Sequence, residues 1–178
     1  MVGGCIGAAA RPLEIVLSFV RRRRGIIGRS TIKGELMATL YERLGGLDAI
    51  TAVVDSFVGR CAGDDRINSK FERTDIPRLK KMLVDQVCEA TGGPCTYSGR
   101  DMRETHDGMG VTAGEFDALV EDLVATLDEF DVPNAEQEEL LGVLGPMRAE
   151  IVEIESPETG TPLPETYEGA PALSGQQR

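Results

Sequence analysis

His106 is the only histidine in the chain, and it sits in a stretch whose spacing fits no long helix. On residue type alone it has three readings. An exposed or core-satisfied histidine is the commonest fate of such a residue. A general base is the second, although no Ser or Cys partner is suggested nearby. The third is an axial ligand to haem, which needs only one strong protein ligand. A neutral imidazole can bind iron through one nitrogen while the other donates to a carbonyl that orients the ring. Zinc is a poor match, because a closed site needs several Cys or His ligands. The four cysteines, Cys5, Cys61, Cys88 and Cys95, form no CxxC pair. Cys61 and Cys88 fall on apolar helix faces, where a thiol acts as a small hydrophobe. A reduced, intracellular setting follows from that usage.

The elements that must position His106 all read as helices. Thr39 to Leu44 is a short first helix ended by Gly45-Gly46. The next runs from about Leu47 to Cys61, with Ile50, Val53, Val54, Phe57, Val58 and Cys61 on one face. Asp75 caps a third, in which Pro77 is tolerated in the first turn. Its stripe holds Ile76, Leu79, Leu83, Gln86, Val87 and Ala90, and Gly92-Gly93-Pro94 ends it. Between Cys95 and Gly110 the pattern fails, leaving a loop with one short helix around Arg100 to His106. Thr112 and Glu115 then form a capping box. The helix they open carries Phe116, Leu119, Val120, Leu123, Val124 and Leu127. Pro133-Asn134 starts a last helix with a stripe from Leu140 to Ile151. No strand and no repeat is legible. A four-helix bundle and a globin-like packing fit equally well.

The ends differ from this middle. Residues 1–36 carry Arg11, Arg21 to Arg24, Arg29 and Lys33 against Glu14 and Glu35. They read as a basic leader outside the fold. A miscalled start is one account, with Met37 as the true first residue. A membrane-surface anchor fits less well, since Glu14 interrupts the apolar run and no amphipathic period is present. The basic run follows the apolar one, the wrong order for a secretory signal. Residues 155–178 are rich in Pro, Gly, Ser, Thr and Glu and read as a disordered tail. Net charge is −11 overall, and more negative still without the leader. Such a body repels phosphate, so nucleic acid is not an expected partner. The acidity fits a salt-adapted host or an ordinary acidic cytoplasmic protein. No run is long and apolar enough to span a bilayer.

Residues 40–154 resemble a group I truncated haemoglobin. The matches are co-linear: Leu40-Tyr41-Glu42-Arg43-Leu44-Gly45-Gly46, Ala49-Ile50, Asp55-Ser56-Phe57 and Phe71. They continue through Gly92-Gly93-Pro94, Tyr97-Ser98-Gly99, Met102, His106, Val111-Thr112 and Phe116, ending with Val132-Pro133 and Leu141-Gly142. The resemblance implies an all-α, two-over-two helical sandwich around haem b over residues 37–154. It implies His106 as the proximal ligand and Phe71 packed flat on the haem. It places Met82, Met102, Val111 and Phe116 around the ring. It sets Tyr97, Thr74 and Arg78 near the propionate edge, where Arg78 would form a charge-assisted pair.

The same resemblance marks a departure. Many relatives carry a distal Tyr where this chain has Val58. Leu79 and Leu83 are apolar where relatives often have Gln, so the usual distal hydrogen bonds are expected to be missing. Gln86 is the one candidate to replace them. The implied function is reversible binding of a diatomic gas: oxygen for storage or transport, nitric oxide, or carbon monoxide. Nitric oxide dioxygenation would call on an external reductase, because no flavin or nicotinamide motif is present. Peroxidase-like work wants a distal acid–base group, and none stands at Val58, Leu79 or Leu83. A haem-free helical interaction module is the alternative of another class. A monomer or weak dimer is expected.

Overall fold

Thr39 opens the first helix with reciprocal hydrogen bonds. Its hydroxyl accepts from the Glu42 amide at 3.2 Å, and its own amide donates to the Glu42 carboxylate at 3.0 Å. The computed structural model describes residues 38–169. The leader, the Met37 start and residues 170–178 lie outside them. Helix α1 spans Leu40–Arg43. Gly45 and Gly46 turn the chain at φ values of 95° and 75°, a conformation that side chains other than glycine's rarely take. Helix α2 follows over Gly46–Gly63.

A short 3-10 turn, Asn68–Phe71, leads to helix α3, Ile76–Ala90. Asp75 caps it by accepting from the Arg78 amide. Helix α4 is only Met102–His106, capped by Asp101. Helix α5, Ala113–Glu129, begins with the expected Thr112–Glu115 capping box. Helix α6 covers Asn134–Leu144. Buried Ile50, Val54 and Val58 of α2 meet Cys88, Leu79 and Leu83 of α3 in one core cluster. Leu40, Leu127 and Leu140 join α1, α5 and α6 in a second, which also receives Val53 of α2. Helix α2 thus packs on one layer and against the other, the two-over-two arrangement expected.

Three expectations are corrected. The last helical stripe does not run unbroken to Ile151. It passes through a 3-10 turn at Gly145–Met147 into helix α7, Arg148–Ile151. Pro146 lacks an N–H and clashes with a continuing helix, which outweighs the apolar spacing. Second, residues 155–169 are not a disordered tail. The amides of Glu153 and Ile154 donate to the Val111 carbonyl, and that of Gly114 donates to the Ser156 carbonyl. Leu163 is 8% exposed. Composition reports how little apolar surface a segment owns, not which fixed partners await it.

Third, the cysteines are not all reduced: Cys88 and Cys95 form a disulfide, while Cys61 is free and buried. The bridge ties the last turn of α3 to the loop before α4. It closes a loop of sequence separation 7, for which restriction of the unfolded chain contributes about 2 kcal/mol. Cys95→Ser is therefore expected to lower unfolding stability by about 2 kcal/mol in urea titrations without reductant. With dithiothreitol present, variant and wild type should converge. Equal stability without reductant would mean that the bridge is not formed in solution.

Candidate haem pocket

Five residues are enough to make α4 a helix, because Asp101 holds its start. The Asp101 carboxylate accepts from the Glu104 amide at 2.7 Å. This short helix brings His106 against its own Met102 carbonyl, 2.8 Å from Nδ1. A carbonyl only accepts, so Nδ1 carries the proton and Nε2 keeps its lone pair. Burial holds the His106 pKa below the ordinary value. The Met102 hydrogen bond and the Glu153 charge pull the other way without cancelling it. The ring is therefore a neutral imidazole, the form that binds metals.

His106 lies in the wall of a cavity that is partly open to solvent. Helix α3 supplies Leu79, Met82, Leu83 and Gln86, and the segment before it supplies Phe71 and Thr74. Met102 of α4 closes one end, with Val111 and Phe116 beyond it. Tyr97 and Arg100 come from the loop between α3 and α4, where the Tyr97 hydroxyl donates to the Arg100 carbonyl at 2.8 Å. The lining is mostly apolar, as is usual for small-molecule and cofactor sites.

Two expected residues stand elsewhere. Val58 is 2% exposed but belongs to the core cluster with Ile50 and Val54, away from the cavity wall. Arg78 is also not on the wall. Its Nε is nonetheless buried without a hydrogen-bond partner. The neutral imidazole and the apolar walls fit haem. Gln86 reaches the cavity, but its Nε2 faces the sulfurs of Met102 and Met147 at 3.4 and 3.5 Å.

Sequence reasoning missed part of the wall. Lys70 and Glu115 form an ion pair at 3.5 Å within it. Glu115 was legible only as a helix cap, and nothing in the sequence pattern singled out Lys70. Ile67, Thr105, Met109, Leu119 and Ile151 also contribute, as does Tyr167 from the segment read as disordered. A helix-period search could have offered Leu119, but it gives no direction toward a cavity.

A helical sandwich with a half-buried neutral histidine in an apolar cavity defines a haem-globin class of pocket. A family model described as bacterial-like globin matches residues 39–153. The group 1 truncated haemoglobin of Mycolicibacterium paratuberculosis is 34% identical over 114 residues, 64% of this chain and 84% of that one. That of a Synechocystis species is 40% identical over 113 residues, 61% of this chain and 91% of that one. Among solved structures, the Fe(III) truncated haemoglobin of Tetrahymena pyriformis superposes with a TM-score of 0.62 at 36% identity. That match covers 65% of this chain and 98% of the other. The chain belongs to the bacterial-like globin family, among its group 1 truncated haemoglobins, and its cofactor is haem.

Proposed function

We propose that the protein binds a diatomic gas reversibly at a ferrous haem whose single protein ligand is His106. The observation that carries this reading is the Nδ1 contact to the Met102 carbonyl, which reserves Nε2 of a half-buried neutral ring. Ferrous haem, when bound, would supply the iron to which a small gas binds. His106 would hold that iron. Leu79 and Leu83 would help keep water out, and Phe71 and Phe116 would pack against the cofactor. Arg78, Tyr97 and Thr74 would meet the carboxylate edge, joined by Arg100. Oxygen, nitric oxide and carbon monoxide all suit such a pocket. The apolar distal side offers no acid–base group for peroxide cleavage, and nitric oxide dioxygenation would draw electrons from a separate reductase.

Among the described residues, no helix is long and apolar enough to cross a membrane. A cytoplasmic setting is part of the proposal. There the thiol pool would hold Cys88 and Cys95 reduced, and the loop would rest on its other contacts. The test is titration of the purified chain with haem, followed by spectra in the oxidised, reduced and carbon monoxide states. A Soret band that shifts on reduction and on carbon monoxide is expected. No uptake by a folded chain would leave the haem-free interaction module as the better reading.

Gas release gives a finer check. A neutral hydrogen bond contributes roughly 0.5–1.5 kcal/mol, so Leu79→Gln is expected to slow oxygen release by up to about tenfold. Gln86→Leu is expected to leave that rate unchanged, because Nε2 of Gln86 already faces two thioethers. Stopped-flow displacement of oxygen by carbon monoxide measures both. Faster release from the Gln86 variant would make that amide the distal donor after all.

A further inference from the structure

Residues 155–169 lie beyond the stretch that the family model matches, which ends at 153, yet they are bound closely to the pocket. The segment crosses the start of α5 at Gly114, where a Cβ would stand 2.4 Å from the Pro157 carbonyl oxygen. Any larger residue there must push the segment away. Further on, the Thr161 amide and hydroxyl both donate to one Glu115 oxygen, at 2.8 and 2.7 Å. Lys70 donates to the same hydroxyl at 2.9 Å. Ser69 donates to the Thr161 carbonyl at 2.7 Å, and the Arg73 guanidinium donates to the carbonyl of Tyr167. Leu163 packs with Met109 and Val111. Tyr167 then reaches the cavity wall, its hydroxyl 3.4 Å from the carbonyl of Thr105, the neighbour of His106.

The segment therefore joins two parts of the cavity wall: the 69–73 stretch before α3 and the short helix that bears His106. We propose that residues 155–169 are a haem-retaining strap, with Tyr167 as a positioning residue that braces the helix carrying His106. This rests on the haem reading above. Loss of haem requires the cavity walls to part, and the strap ties them from outside the globin body. It acts on the rate of cofactor escape rather than on gas chemistry.

The test is transfer of haem from the ferric full-length protein to an excess of haem-free acceptor globin, read in the Soret region. Gly114→Ala, which displaces the strap, and Tyr167→Ala are each expected to speed transfer roughly two- to tenfold, the span of one ordinary hydrogen bond. Tyr167→Phe keeps the ring on the wall but removes the hydroxyl that reaches Thr105, so it should speed transfer nearly as much as Tyr167→Ala. Urea unfolding of the apo forms runs in parallel, since a purely structural role would move stability and haem loss together. Tyr167→Ala is expected to leave the unfolding midpoint near wild type. If Gly114→Ala fails to fold, the Tyr167 pair decides. Equal transfer rates in the folded variants and wild type overturn this inference alone. A wild-type chain that takes up no haem overturns the functional reading and this one with it.

Discussion

A His106→Gly protein is expected to fold, to lose the spectrum of histidine-coordinated iron, and to regain it when free imidazole is added. Glycine opens the space of the ring while leaving the Met102 carbonyl able to orient an added imidazole through its N–H. Substitution by alanine should lose the same signal with poorer rescue, as its methyl intrudes on that space. An unchanged coordination spectrum in the glycine variant would remove His106 from the iron. The same residue sets a pH dependence. Burial depresses its folded pKa below the ordinary 6.5, so the unfolded chain binds the proton first as pH falls. The neutral ring's contribution is therefore fully present above about 6.5 and is lost as pH drops through the depressed folded value. Apo wild type should show this extra acid sensitivity in urea titrations across that window. His106→Gly should not.

The second large effect is expected at Lys70. Its ammonium and the Glu115 carboxylate are almost wholly buried, at 5% and 2% exposure. The ammonium also donates to the carbonyls of Met109 and Gly110. Removing one member of such a pair leaves a buried charge without its counter-charge and costs about 3–5 kcal/mol. Lys70→Met should therefore lower unfolding stability by about that amount. Combining it with Glu115→Gln should recover part of the loss, because the remaining side chain is then neutral and still accepts from Thr161. A single variant costing under about 1 kcal/mol, or a double variant worse than the single, would show that the pair is solvated in solution.

Sequence patterning went furthest where local chemistry decides the outcome. Asp75 and Thr112 cap their helices as read, because a cap is a contact of three residues' reach; Thr39, read as the first helical residue, is a cap as well. The α2 and α3 stripes found their shared core, because periodicity marks a face. That periodicity also placed Val58 correctly in the core; its distal role came from the resemblance alone, since a stripe reports burial and does not tell core from cavity. Periodicity overran Pro146, where a missing amide outweighs an apolar stripe. The Cys88–Cys95 bridge has no recognisable spacing. The strap was illegible for a related reason, since Thr161 meets partners 46 and 91 residues away in sequence. On residue type alone His106 stood open among three uses; its carbonyl partner and half-buried ring support the ligand reading that the resemblance implied.

The attachment at Glu115 has a practical consequence. One carboxylate oxygen serves Thr112 at the helix start, while the other receives Thr161. The appendage thus borrows a residue that already has its own job within the globin body. Beyond that shared acid it needs chiefly a lysine in register and a glycine at the crossing. A short terminal extension of this kind is portable: grafted onto a relative that offers the same three residues, it would give a more durable holoprotein without rebuilding the interior.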